Sequence, residues 1–191
     1  MALVLGAWTG CNEKHEAPVP SSRYEAVKAV ADPSSRWCDA TFSGAAQRLT
    51  LPPLAAAGPG VAPPTLPKGR RAWVNLWATW CKPCLREMPL LLKWRDELRK
   101  DGVDVEIVFL SLDEDVEAFD RFLSARKDIP AASVARAASQ HDYEQWMKAY
   151  LKDPTTPIPI HLLASADGNL RCIRSGSLRE GDYPAAKAAL R

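Results

Sequence analysis

"RAWVNLWATWCKPCLREMPLLLKWRDELRK", residues 71–100, joins two elements of different period around a pair of cysteines. Its first part, "RAWVNLWAT", is a continuous apolar run of strand length, as expected for a strand covered on both faces. In "CLREMPLLLKWRDELRK" apolar residues recur at helical spacing: Leu85, Met88 and Leu92, then Leu91, Trp94 and Leu98. Pro89 inside that helix predicts a bend. The turn at Asp101-Gly102 and the apolar run "VDVEIVFLSL" predict a second strand. Strand, helix and strand in this order make a β-α-β unit, so the two strands are expected to be parallel.

Downstream, "DVEAFDRFLSAR" predicts a helix with Val116, Phe119 and Leu123 inward. "SVARAASQHDYEQWMKAYL" predicts another, with Tyr143, Trp146, Met147 and Tyr150 on its buried stripe. "IPIHLLASADGNLRCIRSG" reads as an antiparallel hairpin turning at Asp167-Gly168-Asn169, and "DYPAAKAALR" as a closing helix. The expected class is α/β, a central mixed sheet flanked by helices. Upstream, residues 12 to about 70 are rich in Pro, Ala and Ser, with a short helix expected in "SRYEAVKAVA". This Pro/Ala-rich stretch is an N-terminal extension: a tether over residues 12–40 and then the domain, 41–191.

At 47% hydrophobic residues the 191-residue chain can bury a core, and 25 basic against 23 acidic residues predict no nucleic-acid surface. No stretch reaches the roughly 18 apolar residues of a membrane span.

Three chemistries use a Cys-x-x-Cys pair: a zinc ligand pair, a structural disulfide and a redox-cycling dithiol. Zinc as a rule needs four ligands; no second pair has suitable spacing, and His15, His141 and His161 form no ligand pattern. His161 alternates along a strand with Ile160 and Leu162, which favours a structural role. A structural Cys81–Cys84 bond would close a very small loop and stabilise little. The dithiol reading fits its place between a buried strand and a helix start. There the helix dipole and unpaired N–H groups stabilise a Cys81 thiolate, Lys82 adds a positive charge, and Pro83 is tolerated in the first turn. Cys84, one turn on and deeper, resolves the mixed disulfide. No cofactor or metal is implied.

Upstream, Cys11 follows the apolar run "MALVLGAWTG" and precedes "NEKHEAP". This resembles a bacterial lipoprotein signal over residues 1–11, in which the cysteine is lipidated and becomes the first mature residue. The rival reading is an apolar N-terminus with an incidental cysteine.

"WATWCKPC" after a buried strand resembles the active site of the thioredoxin superfamily, and within it the membrane-anchored TlpA/ResA/DsbE-like proteins. Trp80 precedes the first cysteine, Pro89 stands where the family has a proline, and Glu87 matches the acidic residue of that branch's C-x-x-C-x-x-E. Asn75 replaces the buried aspartate of cytosolic thioredoxins. The resemblance implies a thioredoxin-like fold and an extracytoplasmic thiol–disulfide oxidoreductase, probing Cys81-Lys82-Pro83-Cys84 against protein disulfides or dithiols and drawing on a membrane electron donor. It implies a reductant of the cytochrome c maturation or copper-site assembly type, monomeric and lipid-anchored on the periplasmic side of a bacterial envelope. It also implies a cis-proline facing the cysteines. Family spacing from that proline to the glycine of the next turn selects Ile158-Pro159, with Gly168 nine residues on, over Pro154. Glu87 has two readings: an ordinary solvated charge, or a carboxylate that tunes or relays protons to the dithiol. A copper or zinc carrier of the same fold is the alternative function.

Cys38 and Cys172 remain. In an oxidising compartment they are candidates for a structural disulfide; otherwise they are independent residues, Cys172 being a small buried hydrophobe.

Overall fold

The computed structural model describes residues 34–191, apart from 45–46, 56–62, 152 and 154. Cys11, the signal over 1–11, the helix expected in 22–31 and the tether up to residue 33 lie outside the described residues. Pro154, the rival cis-proline, lies outside them too.

The β-α-β unit is β2 (Arg71–Trp77), α2 (Lys82–Lys100) and β3 (Val105–Ser111), preceded by α1 (Ser34–Trp37) and β1 (Ala40–Thr41). Then come α3 (Val116–Ala125), β4 (Val134–Arg136), α4 (Gln140–Met147), β5 (Ile160–Ala164), β6 (Leu170–Ser175) and α5 (Tyr183–Ala189). The six strands lie in the order β1-β6-β5-β2-β3-β4. β2 pairs parallel with β3 and antiparallel with β5, and β3 pairs parallel with β4. The sheet is therefore mixed.

Alternation along β2 divides the core. Trp73 and Trp77 join the layer under α2, α3 and α5, whereas Val74 and Leu76 join the layer that holds Tyr143 and Met147 of α4. Trp73, Trp77 and Trp94 are fully buried. Such rings bring more apolar area to a core than any aliphatic residue, which helps a chain this size close two layers. On α2 the inward face is Cys84, Glu87, Met88, Leu91, Trp94 and Leu98; Leu85 and Leu92 sit at its margin. The helix continues through Pro89, which lies on the exposed face.

Three expectations need correction. The long helix over 133–151 is instead strand β4 and then α4, because Val134–Arg136 pair with the edge of β3 and Ser139 caps a new helix, its hydroxyl accepting from the Asp142 N–H. Val116 is exposed: it opens α3 just after the cap Asp115, and only Phe119 of that helix is fully inward. The packed domain also begins before residue 41, since Trp37 and Cys38 are core residues and β1 pairs with β6.

The N-terminal segment is held by more than packing. A Cys38–Cys172 disulfide, with Cα atoms 5.6 Å apart, ties it to β6. Trp37 stands edge-on to Trp73, and its carbonyl accepts a 3.0 Å hydrogen bond from Arg174, whose guanidinium also lies over the Trp37 ring.

Candidate active site

Cys81 is the N-cap of α2, and its Sγ accepts the Cys84 N–H at 3.3 Å. The strand-to-helix transition makes this geometry. β2 ends at Trp77, a short turn carries Thr79 and Trp80, and Pro83 lies in the first turn, where a missing N–H costs nothing. Cys81 and Cys84 are joined by a disulfide with Cα atoms 5.3 Å apart. Cys81 retains 5% exposure and Cys84 none, so only the first sulfur can meet a partner. In the reduced protein a Cys81 thiolate would lie against N–H groups at the positive end of a 19-residue helix. Lys82 is exposed beside it, and Trp80, at 67%, projects into solvent.

The loop before β5 forms the other wall. The Ile158–Pro159 bond is cis, and the Ile158 carbonyl oxygen lies 3.7 Å from Cys81 Sγ. Across the dithiol, buried Asp113 clamps the turn that carries Trp80. Its carboxylate accepts the Thr79 N–H at 2.9 Å, the Thr79 hydroxyl at 2.6 Å and the Ser111 hydroxyl at 2.7 Å. Nothing in the acidic run "DEDVE" marks Asp113 out from its neighbours, so sequence reading missed it.

Glu87 is not a solvated charge. It is 3% exposed, one helical turn below Cys84 on the same face. Its Oε2 accepts the Leu178 N–H at 2.9 Å and its Oε1 accepts from Asn75 Nδ2 at 3.0 Å. Burial pushes the carboxyl up to about 7, against the pull of these two donors and of Arg174. His161 sits opposite Asn75 in the β2–β5 register, so both side chains share a face. The Trp73 indole N–H can only donate, and it points at His161 Nδ1 at 3.2 Å. That fixes the imidazole proton on Nε2, which faces Glu87 Oε1 at 3.5 Å. The ring is neutral, because burial holds it down at about 3, and the contact is no ion pair. Sequence reading gave His161 a structural role; its partners come from two other elements, Trp73 and Asn75 from β2 and Glu87 from α2.

A proton retained to about pH 7 has a consequence for stability. The unfolded chain releases it near 4.5, so folding stability falls as pH rises from there through 7. Above that window the ionised carboxylate costs the fold about 3 kcal/mol at most. Glu87→Gln removes that cost, and its amide oxygen can still accept from one of the two donors that face the carboxylate. The oxidised variant should resist urea better than the parent at pH 8, by about 1–3 kcal/mol, and lose that advantage at pH 5. An advantage of the same size at both pH values would mean that Glu87 is not titrating in this window.

Among the described residues, no group of three or more His, Cys, Asp or Glu comes together to hold a metal ion. Nor is any described helix long and apolar enough to cross a membrane.

Known proteins resemble this arrangement. A thioredoxin-like family model matches residues 70–163, from the start of β2 to the end of β5. The chain is 28% identical over 115 residues to the thiol-disulfide oxidoreductase ResA of Geobacillus kaustophilus, covering 60% of each protein. It is 39% identical over 57 residues to ResA of Bacillus thuringiensis, 30% of this chain and 32% of that one. The matched part thus spans less than two thirds of these relatives' own length. A solved thiol:disulfide interchange protein of the thioredoxin family from Chlorobium tepidum superposes with a TM-score of 0.50 over 64% of this chain and 81% of that one, at 21% identity. Residues 70–163 are thus thioredoxin-like, the chain is similar in sequence to thiol-disulfide oxidoreductases named ResA, and its fold is shared with the Chlorobium protein.

Proposed function

We propose that the chain is an extracytoplasmic thiol–disulfide oxidoreductase, acting as a reductant on protein disulfides of the cytochrome c maturation or copper-site assembly type. The carrying observation is the asymmetric dithiol: one sulfur at the surface on a helix cap, the other fully buried one turn on. In the reduced protein the Cys81 thiolate attacks a substrate disulfide. A Cys81–substrate S–S bond forms, and the displaced substrate sulfur leaves as a thiolate that takes a proton from solvent. Cys84 gives its proton to the Glu87 carboxylate and attacks Cys81 Sγ. The Cys81–Cys84 bond forms, and the second substrate sulfur leaves as a thiolate that takes up a proton from solvent, while Glu87 returns its proton to solvent. Two electrons pass to the substrate, which gains two thiols, and a membrane electron donor restores the dithiol. A carboxyl with a pKa of about 7 suits proton exchange near neutral pH. The Ile158 carbonyl, facing Cys81, is placed to receive an extended substrate strand.

The direction of electron flow follows from the reduction potential. Equilibration of the pure protein with dithiothreitol buffers, read by alkylation of Cys81 and Cys84, should give a value at or below that of thioredoxin, about −270 mV. A value near −120 mV, where strong oxidants lie, would overturn the reductant role.

The cell-envelope location rests on two features. The Cys38–Cys172 bond suits an oxidising compartment, and Cys11 has the setting of a lipidated cysteine. The lipoprotein should sediment with membranes in its bacterial host, and Cys11→Ala should release it. A parent protein found wholly in the soluble fraction would count against the anchor.

A further inference from the structure

Three clefts run outward from Trp80 and Ile158, the neighbours of Cys81, and they share walls. The first, about 260 Å³, lies between Trp80 and Ile158; the second, about 530 Å³, runs from Trp80 to Asp115; the third, about 230 Å³, reaches Arg136. Leu112 and Gln140 line all three, so they form one continuous groove that starts beside Cys81 and crosses the C-terminal end of β3. Its inner end joins apolar Trp80, Leu112, Tyr143 and Ile158 to the polar side chains of Gln140, Thr155 and Thr156.

Its outer end is acidic. Asp113, Glu114 and Asp115 line it, against a single guanidinium, that of Arg136. Asp113 is buried and its oxygens are met by neutral donors, the N–H of Thr79 and the hydroxyls of Thr79 and Ser111, so its charge stays without a cationic side chain. Arg136 reaches the Asp113 carbonyl, 3.4 Å away, and not a carboxylate. Glu114 is exposed, and Asp115 keeps its carboxylate on the Ala118 N–H. The chain as a whole carries +2, so this groove opposes the sign of the rest of the molecule. The two large exposed hydrophobics among the described residues, Trp80 and Val116, stand at the groove and beside its acidic end. Trp80 gives the inner end of the groove an exposed aromatic wall next to Cys81.

Building on the oxidoreductase reading, we propose that this groove selects the substrate: it takes an extended segment of another protein that carries Lys or Arg beside the cysteine to be reduced. The disulfide lies over Cys81, the apolar flank against Trp80 and Leu112, and the basic side chain reaches Glu114, exposed at the outer end. Such pairing acts mainly on encounter and orientation, so it should appear in the second-order rate and weaken with salt.

The test uses the reduced full-length protein and three cyclic disulfide peptides, identical except for Lys, Ala or Glu on both sides of each cysteine. Each stopped-flow rate constant is divided by that peptide's rate constant with dithiothreitol, which removes the peptide's own reactivity. The Lys peptide should exceed the Glu peptide by about tenfold at low ionic strength, with Ala between, and the ratio should shrink with added salt. Glu114→Lys should erase or invert it. Equal normalised rates for the three peptides, or an unchanged ratio in Glu114→Lys, would overturn the groove's role while leaving the oxidoreductase reading intact. Failure to reduce any peptide, or a small neutral disulfide, would instead defeat the oxidoreductase reading and the groove with it.

Discussion

Replacing Cys84 with serine should turn the protein into a trap: one substrate captured per molecule, and turnover below about a thousandth of the parent rate. The Cys81 thiolate still attacks, because its setting at the α2 cap does not depend on the Cys84 sulfur; the backbone N–H of residue 84 remains to face it. The resolving step is lost, so the Cys81–substrate bond persists. Cys81→Ser should lose turnover equally yet trap nothing, since Cys84 is fully buried and cannot meet a protein disulfide. Non-reducing gels of each variant incubated with envelope extract, followed by mass spectrometry of the cross-linked site, separate the two results. Adducts on Cys84 in the Cys81→Ser protein would reverse the assignment of attacking and resolving sulfur.

The second large effect is on stability. The Cys38–Cys172 bond spans a sequence separation of 134. The chain-entropy relation gives about 5 kcal/mol for a loop of that size, an upper figure for a bond between two buried residues. A domain of this size commonly has about 5–15 kcal/mol in total, so the loss is a large share. The double variant Cys38→Ala/Cys172→Ala should unfold at clearly lower urea, by about 2–5 kcal/mol. Amide exchange should rise first in residues 34–41, where α1 and the two-residue β1 have few other ties. Unchanged urea midpoints would show that the packing of Trp37 against Trp73 and Arg174 holds this segment without the bond.

The sequence made the centre of the fold legible and left its edges dark. β2, α2 and β3 carry long, strongly periodic signals, and the dithiol sits at the one place where the period changes. β4 is three residues long, lies among helix-forming alanines and exists because the edge of β3 offers hydrogen bonds. β1 is two residues and depends on β6. Neither has a local signature. The site divides the same way. Cys81 and Cys84 are legible from their spacing, and Trp80 from the resemblance carried by "WATWCKPC". The burial of Glu87 is not, because it needs Asn75 from β2, His161 from β5 and the Leu178 N–H beyond β6 to close around one carboxyl. Asp113 was unreadable for a like reason: its donors come from the ends of two parallel strands that only the sheet brings together.

The Cys38–Cys172 bond also decides how the molecule carries mechanical load. If the chain is held upstream of residue 38 and a partner bound at Cys81 is drawn away, tension enters at Cys38 and crosses the sulfurs into β6. From there it passes through β5 to β2, strand to neighbouring strand, and reaches the dithiol. The covalent shortcut takes the backbone between Cys38 and Cys81 out of the line of force. While the bond is closed, the chain from Cys38 to the start of β2 at Arg71, roughly 110 Å of contour length at about 3.4 Å per residue, cannot be drawn out through the N-terminal end. A held chain would thus present its reactive cysteine at a fixed reach, and reduction of this one bond would lengthen the leash before it disturbed the chemistry.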